Sequence, residues 1–456
     1  MGTVAATHRP ALRPLPATAL AASPSAVIGL RFVIVELVVL GSALVIGLRG
    51  ALLLLTGAAF LGAILGLWNP RVGLLSVTIL CAIEPLLQSF MLNSGLLRWN
   101  TLNYWLLMVS LLSVPFLLRQ RGLPLRLLQA TLLLLAFELF MSQDRARGLQ
   151  DMLGMAAMLG LLAYFGRGRL TRADWLWCGI VCGVLTAAGG AIYLLQRDSL
   201  PHINPNAWAG FPLTGLVALA FAAPFAAHWR GSSTLVSLLA TVTAAWIFLS
   251  GSRGNMLMAA VTVAYLLVSL RGLSRRAVLV GLAGLTMMVA AVAFPALQAR
   301  ALKRVSVFFD PSATMRDKTS HRSELALAGW YIAQDHPLGV GTGGFTHAWE
   351  HLGRRPGLAS VDAYRRMSAH AGWIKILVEN GMPGALLLAA FVTSFAVTGW
   401  RRRRRSALRI GLWASMTLGF AFISTEYQTK AVWFLAAGAI AMLHPRGPLL
   451  SPRRHG

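Results

Sequence analysis

Leu297-Gln298-Ala299-Arg300-Ala301-Leu302-Lys303-Arg304 opens a polar interruption that closes at Glu379-Asn380-Gly381-Met382-Pro383-Gly384, and on both sides of it the chain is nearly continuous hydrocarbon. Inside it lie Arg316-Asp317-Lys318-Thr319-Ser320-His321-Arg322, then His336-Pro337-Leu338-Gly339-Val340-Gly341-Thr342-Gly343-Gly344-Phe345, and finally His370-Ala371. The flanks set the class: 56% of the 456 residues are hydrophobic, 12% are charged, and mean hydropathy is +0.65. Such values lie outside those of soluble domains and inside those of proteins built in a bilayer.

Working outward, apolar stretches able to cross about 30 Å of hydrocarbon lie near 29–48, 51–68, 72–90, 102–118, 125–142, 150–165, 174–196, 207–228, 233–251, 254–271, 276–297, 373–400, 407–424 and 428–444. The expectation is an all-α polytopic membrane protein of about 12–14 transmembrane helices.

Lys and Arg number 41 against 15 Asp and Glu, a formal charge of +26. In a soluble chain this would suggest nucleic acid. Here the basic residues punctuate apolar runs, which fits a membrane partner, no nucleic acid, and the excess of cations in cytoplasmic loops. Arg401 to Arg405, Arg271 with Arg275 and Arg276, and Arg446 with Arg453 and Arg454 are then cytoplasmic. Counting spans back puts Arg230, Arg167, Arg126 and Arg71 on the same side, with both termini cytoplasmic. The domain reading is a cytoplasmic tail over 1–25 rather than a cleaved signal, a bundle over 26–297, an exoplasmic loop over 298–370, further spans over 371–444, and a tail over 445–456.

The loop breaks the charge rule, because Arg300, Lys303, Arg304, Arg316, Lys318, Arg322, Arg354 and Arg355 gather where such residues are scarce. Long loops translocate regardless of charge, so topology tolerates the cluster without explaining it, and a polyanionic ligand would explain it. Ser250-Gly251-Ser252-Arg253-Gly254-Asn255 reads as a tight hairpin on the same side, with Arg253 at a helix start whose free N–H groups and dipole suit a phosphate. Pro201-His202-Ile203-Asn204-Pro205-Asn206 reads as a loop ending in a helix cap at Asn206. Cys81, Cys178 and Cys182 fall in apolar runs and read as packing residues. Glu36, Glu84 and Glu138 are ionisable at membrane depth and keep open a second class, a transporter coupling through carboxylates. Against it, no internal repeat is visible.

Taken together, Ser252-Arg253-Gly254 opening a span, Arg322 leading through Trp330 to the His336–Phe345 loop, and His370 followed by Leu377, Glu379, Gly381 and Gly384 resemble the O-antigen ligase and polymerase family. The motifs cover about the last half of the chain; the first half resembles the family in hydropathy and span number. Ala371 departs from the family's usual Asn after the histidine. The resemblance implies a GT-C-like multi-span fold with a large helical periplasmic loop in a bacterial inner membrane. It implies a metal-independent inverting glycosyltransferase with no cofactor. The donor would be an undecaprenyl-pyrophosphate-linked glycan, and the acceptor lipid A-core or another glycan; O-antigen or exopolysaccharide polymerase and protein O-oligosaccharyltransferase are alternatives that share the donor.

The loop's carboxylates, Asp310, Asp317, Glu324, Asp335, Glu350 and Asp362, are scattered among arginines with no D-x-D pair to hold Mg²⁺, so arginine is expected to replace the metal. Arg253 and Arg322 are the candidates for stabilising the leaving diphosphate, with Arg316, Lys318 and His321 binding the donor pyrophosphate beside them. His370, with an unperturbed pKa of about 6.5, is the candidate base. Glu379 is expected to orient an Arg or the loop, with Lys375 an alternative, structural partner, and Gly341 to shape the turn.

Overall fold

The computed structural model describes residues 23–66, 68–94, 122–142, 144–167, 170–195, 205–226, 231–270, 302–303, 306–307, 309–314, 322–352, 355–356, 358, 371–424 and 430–444, and of Arg322 the backbone only. The described residues form helices and no strand. In chain order these are α1 (Pro24–Leu65), α2 (Pro70–Ser94), α3 (Leu123–Leu139), α4 (Arg145–Arg167), α5 (Arg172–Leu195), α6 (Pro205–Ala226), α7 (Ser232–Ser250), α8 (Arg253–Ser269), α9 (Arg322–Asp335), α10 (Phe345–Glu350), α11 (Gly372–Arg401), α12 (Arg405–Ser424) and α13 (Lys430–Leu443). Helices occupy the apolar stretches read from the sequence except 102–118 and 276–297, which lie outside the described residues. Among the described residues, seven helical segments are long and apolar enough to cross a membrane: the two halves of α1, then α5, α6, α7, α11 and α12. The chain is an all-α polytopic membrane protein.

The helices start where polar side chains can cap them. Asp174 in the first turn of α5 accepts from Thr171 N at 2.6 Å and Thr171 Oγ1 at 2.8 Å, satisfying donors that the helix start leaves open. The same carboxylate takes Ser25 Oγ at 2.7 Å and Arg71 Nε at 3.1 Å, which ties the starts of α1, α2 and α5 to one point. Gly47, at φ 75°, breaks α1, and its halves fold back so that a Cβ at Gly62 would meet Phe32. Both ends of α1 therefore reach the side of Arg71.

α6 is the axis of the bundle, almost wholly buried and packed on α2, α5, α7, α8 and α13. Phe221 on it meets Trp175 at 5.4 Å, Trp413 at 5.2 Å and Phe434 at 6.1 Å, centroid to centroid, so one ring joins α5, α12 and α13. Between spans, contact comes from close packing, since lipid is as apolar as leucine. Gly399 and Gly411 serve this purpose: a Cβ at Gly399 would lie 3.2 Å from Gly411 Cα, and their absence lets α11 and α12 approach. Cys81, Cys178 and Cys182 are buried thiols in this core.

A second, smaller core stands apart. Leu325, Ala328 and Ile332 of α9 and Phe345 and Trp349 of α10 close on Val378 of α11, with Leu352 beside them. This cap sits on the leading turns of α11 and positions everything described next.

Candidate active site

The site is organised by a break in α11. Gly381 has φ 59° and ψ −161°, a conformation essentially reserved for glycine, and Pro383 follows. Proline has no N–H and its ring crowds the carbonyl four residues back, here that of Glu379. The helix thus loses two bonds at this point, and the loop after α9 replaces them. Val340 N donates to Val378 O at 3.0 Å, Gly341 N donates to Glu379 O at 2.9 Å, and Met382 N donates to Pro337 O at 3.0 Å. Every backbone group freed by the break finds a partner, as burial demands.

Close approach requires the glycines. Gly339, Gly341 and Gly343 have φ of 92°, 88° and 88°. A Cβ at Gly341 would fall 2.6 Å from Ser142 Cα, and one at Gly343 2.7 Å from Gly148 Cα. The loop is therefore clamped between α11 and the turn joining α3 to α4. Arg147 Nη1 donates to Thr346 Oγ1 at 2.9 Å and Thr342 Oγ1 to Leu135 O at 3.1 Å, which fixes the loop from that side.

Buried charge completes the clamp. Lys375 is paired with Asp151 of α4, and its Nζ lies 3.9 Å from Glu379 one turn on. The Glu379 carboxylate is fully buried, and neither of its oxygens makes a hydrogen bond among the described residues. Asn380 donates to Glu138 of α3 and, at 3.1 Å, to Thr342 Oγ1. Gly341 N, bonded to the Glu379 carbonyl, and Lys375 Nζ both lie beside Glu379. Glu138, read from the sequence as a lone carboxylate at membrane depth, is bonded into this junction.

Among the sequence candidates, Gly341 and Glu379 meet directly, through the 2.9 Å bond. His370 lies outside the described residues, immediately before Ala371, the N-cap of α11. Arg316, Lys318 and His321 also lie outside them, as does the Arg322 side chain; the backbone of Arg322 opens α9. Arg253 opens α8 after Gly251 turns the chain at φ 70°. The two hairpin features join, because Ser252 Oγ donates to Asn206 Oδ1 at 2.7 Å and Asn255 Nδ2 to Ser252 Oγ at 2.9 Å. Asn206 lies within α6 and accepts this bond with its side chain. α8 packs on α6, α7 and α12, and α12 in turn packs on α11. Among the described residues no group of three His, Cys, Asp or Glu side chains is arranged to hold a metal ion.

Sequence reasoning missed the α3–α4 turn and Asp151. The available signal was an aspartate and a lysine of opposite charge on two mostly apolar helices, each costly in lipid without a partner.

A multi-span membrane protein whose glycine-rich loop is bonded into a broken helix is the class these features define. Residues 235–389, from within α7 to within α11, match the family model described as O-antigen ligase. The resemblance carried by the motifs is thereby supported: this region is O-antigen ligase-like and spans Arg253, Arg322, the loop, His370 and Glu379. No curated protein sequence matches the chain. The α3–α4 turn that grips the loop lies outside the matched region.

Proposed function

We propose that the protein transfers a glycan from undecaprenyl pyrophosphate to a sugar hydroxyl of lipid A-core, at the periplasmic face of a bacterial inner membrane and without a metal ion. The observation that carries this reading is the junction of the loop with α11, which ties the leading turns of that helix, the next element after His370 in the sequence, to the loop and to α4. The family match over the same residues supports it.

In this reading the acceptor hydroxyl oxygen attacks the anomeric carbon while the bond from that carbon to the diphosphate oxygen breaks. The leaving polyprenyl diphosphate takes the electron pair, the His370 imidazole takes the hydroxyl proton, and the anomeric centre inverts. The guanidinium groups of Arg253 and Arg322 offset the charge that grows on the diphosphate, with Arg316, Lys318 and His321 holding it before reaction. Fixed donors aimed at developing charge are worth about 10²–10³ in rate each. Glu379 positions the loop through its backbone carbonyl, which accepts from Gly341 N.

The test uses purified protein, lipid-linked glycan and EDTA. Turnover should survive chelation and fall at least about 100-fold in His370→Ala and in Arg253→Ala. A requirement for added Mg²⁺ or Mn²⁺ would overturn the reading. A gene deletion separates acceptors: accumulation of long lipid-linked polymer with uncapped lipopolysaccharide marks a ligase, whereas single repeat units mark a polymerase.

A further inference from the structure

Beside the junction lies a cavity of about 390 Å³ between the end of α9 and α10. Its apolar wall is made by Ile332 and Leu352 of the small core, with Val340 of the loop. Its polar wall carries Asp335, His336, His347 and His351, all exposed.

The hydrogen-bonding character of that wall can be worked out. His351 Nδ1 lies 2.7 Å from the carbonyl oxygen of His347, and a carbonyl can only accept, so Nδ1 carries a proton. In the neutral ring Nε2 is then an acceptor. The ring centroids of His347 and His351 lie 4.1 Å apart with their planes tilted by 38°, forming one patch. Asp335 is paired with Arg355 at 2.6 Å, and that guanidinium sits 5.8 Å from the Tyr331 ring centroid, so the carboxylate's charge is balanced. Among the described residues neither Lys nor Arg lines the cavity, and the nearby Arg355 guanidinium is taken up by Asp335.

From this pairing of an apolar wall with hydrogen-bonding groups of balanced charge, we infer that the cavity binds an uncharged sugar ring, its C–H face on Ile332 and Leu352 and its hydroxyls on the histidines. The inference rests on the glycosyltransferase reading and deepens it: the sugar belongs to one of the two glycan substrates, held on the outer face of the loop whose inner face is bonded to α11.

The test is carried out on the full-length protein in lipid nanodiscs. Methyl glycosides of glucose, galactose and N-acetylglucosamine are the sugar probes, with inorganic phosphate and Zn²⁺ as the competing chemistries, followed by saturation-transfer NMR and calorimetry. At least one glycoside is expected to bind, with affinity falling about tenfold or more in His347→Ala and His351→Ala, each loss of about 1.4 kcal/mol corresponding to that factor. His351→Gln, which keeps a hydrogen-bonding side chain, should recover part of the loss and shows that the effect is not misfolding. Glycoside affinity unchanged in both alanine variants overturns the inference. So does binding of phosphate or Zn²⁺ at these histidines with no glycoside bound. In the transfer assay the same variants should raise one KM and leave kcat in place, the acceptor's KM or the donor's KM showing which glycan fills the cavity. Absence of transfer by the wild-type protein would refute the proposed function alone, because the glycoside titration still decides the cavity.

Discussion

Lys375 is the residue on which the junction's charge depends. It is buried, paired with Asp151 and close to Glu379, so its ammonium offsets two carboxylates at once. Removing one member of a buried pair leaves uncompensated charge and typically costs about 3–5 kcal/mol, whereas removing the partners together costs far less. Lys375→Met should therefore lower the thermal midpoint sharply in detergent, and Asp151→Asn in the same chain should restore much of it. Equal and additive losses would show that the two residues do not depend on each other. Lys375 was legible as a partner of Glu379 from its spacing of four on one helix. Asp151 was not, because 224 positions separate it from Lys375 and no local pattern links them.

The element that distinguishes this fold is the broken helix. Gly381 can hold φ 59° and ψ −161° only as glycine, and the loop's three backbone bonds exist because the helix is open there. Gly381→Ala should strain or straighten α11 and release the loop, at a cost of about 1–3 kcal/mol. Hydrogen exchange checks this directly: the amides of Val340 and Gly341 should lose protection while those of α6 keep theirs. Unchanged protection at both would mean the loop holds without the break. Sequence showed the helix, its glycines and its proline, since each is a local signal. It showed the loop as glycine-rich but not where the loop docks, because backbone pairing between 337–341 and 378–382 leaves no mark on side-chain identity. The same limit applies to Ser252 of the α7–α8 turn and Asn206 of α6, which were read separately and meet only in three dimensions.

At the scale of the molecule, the geometry groups residues that the charge bias assigns to one side of the membrane. Arg409 of α12 donates to Val268 O near the end of α8, placing these helix ends together, and Ser25, Arg71 and Asp174 cluster where the sequence put cytoplasmic residues. The native cysteines are buried, so single engineered thiols should label against a quiet background. Leu338→Cys, at an exposed loop position, should react with a membrane-impermeant maleimide added from the periplasmic side. A thiol at Arg403, in the α11–α12 turn, should react only once the inner membrane is opened. The reverse pattern would place the loop in the cytosol and remove the proposed chemistry from its substrates. The span pattern was readable because it follows from hydropathy, whereas the cap was readable only as a charged segment.

The cap's separate small core has a consequence for how the protein comes apart. Joined to the bundle chiefly through α11 and the α3–α4 turn, it forms a cooperative unit of its own, and such units open at lower free energy than the body that carries them. Heating should accordingly give two transitions in scanning calorimetry, an early one that silences activity while the spans stay folded and a late one that dissolves the bundle. Cooling between them should bring activity back without the membrane part ever having to be rebuilt.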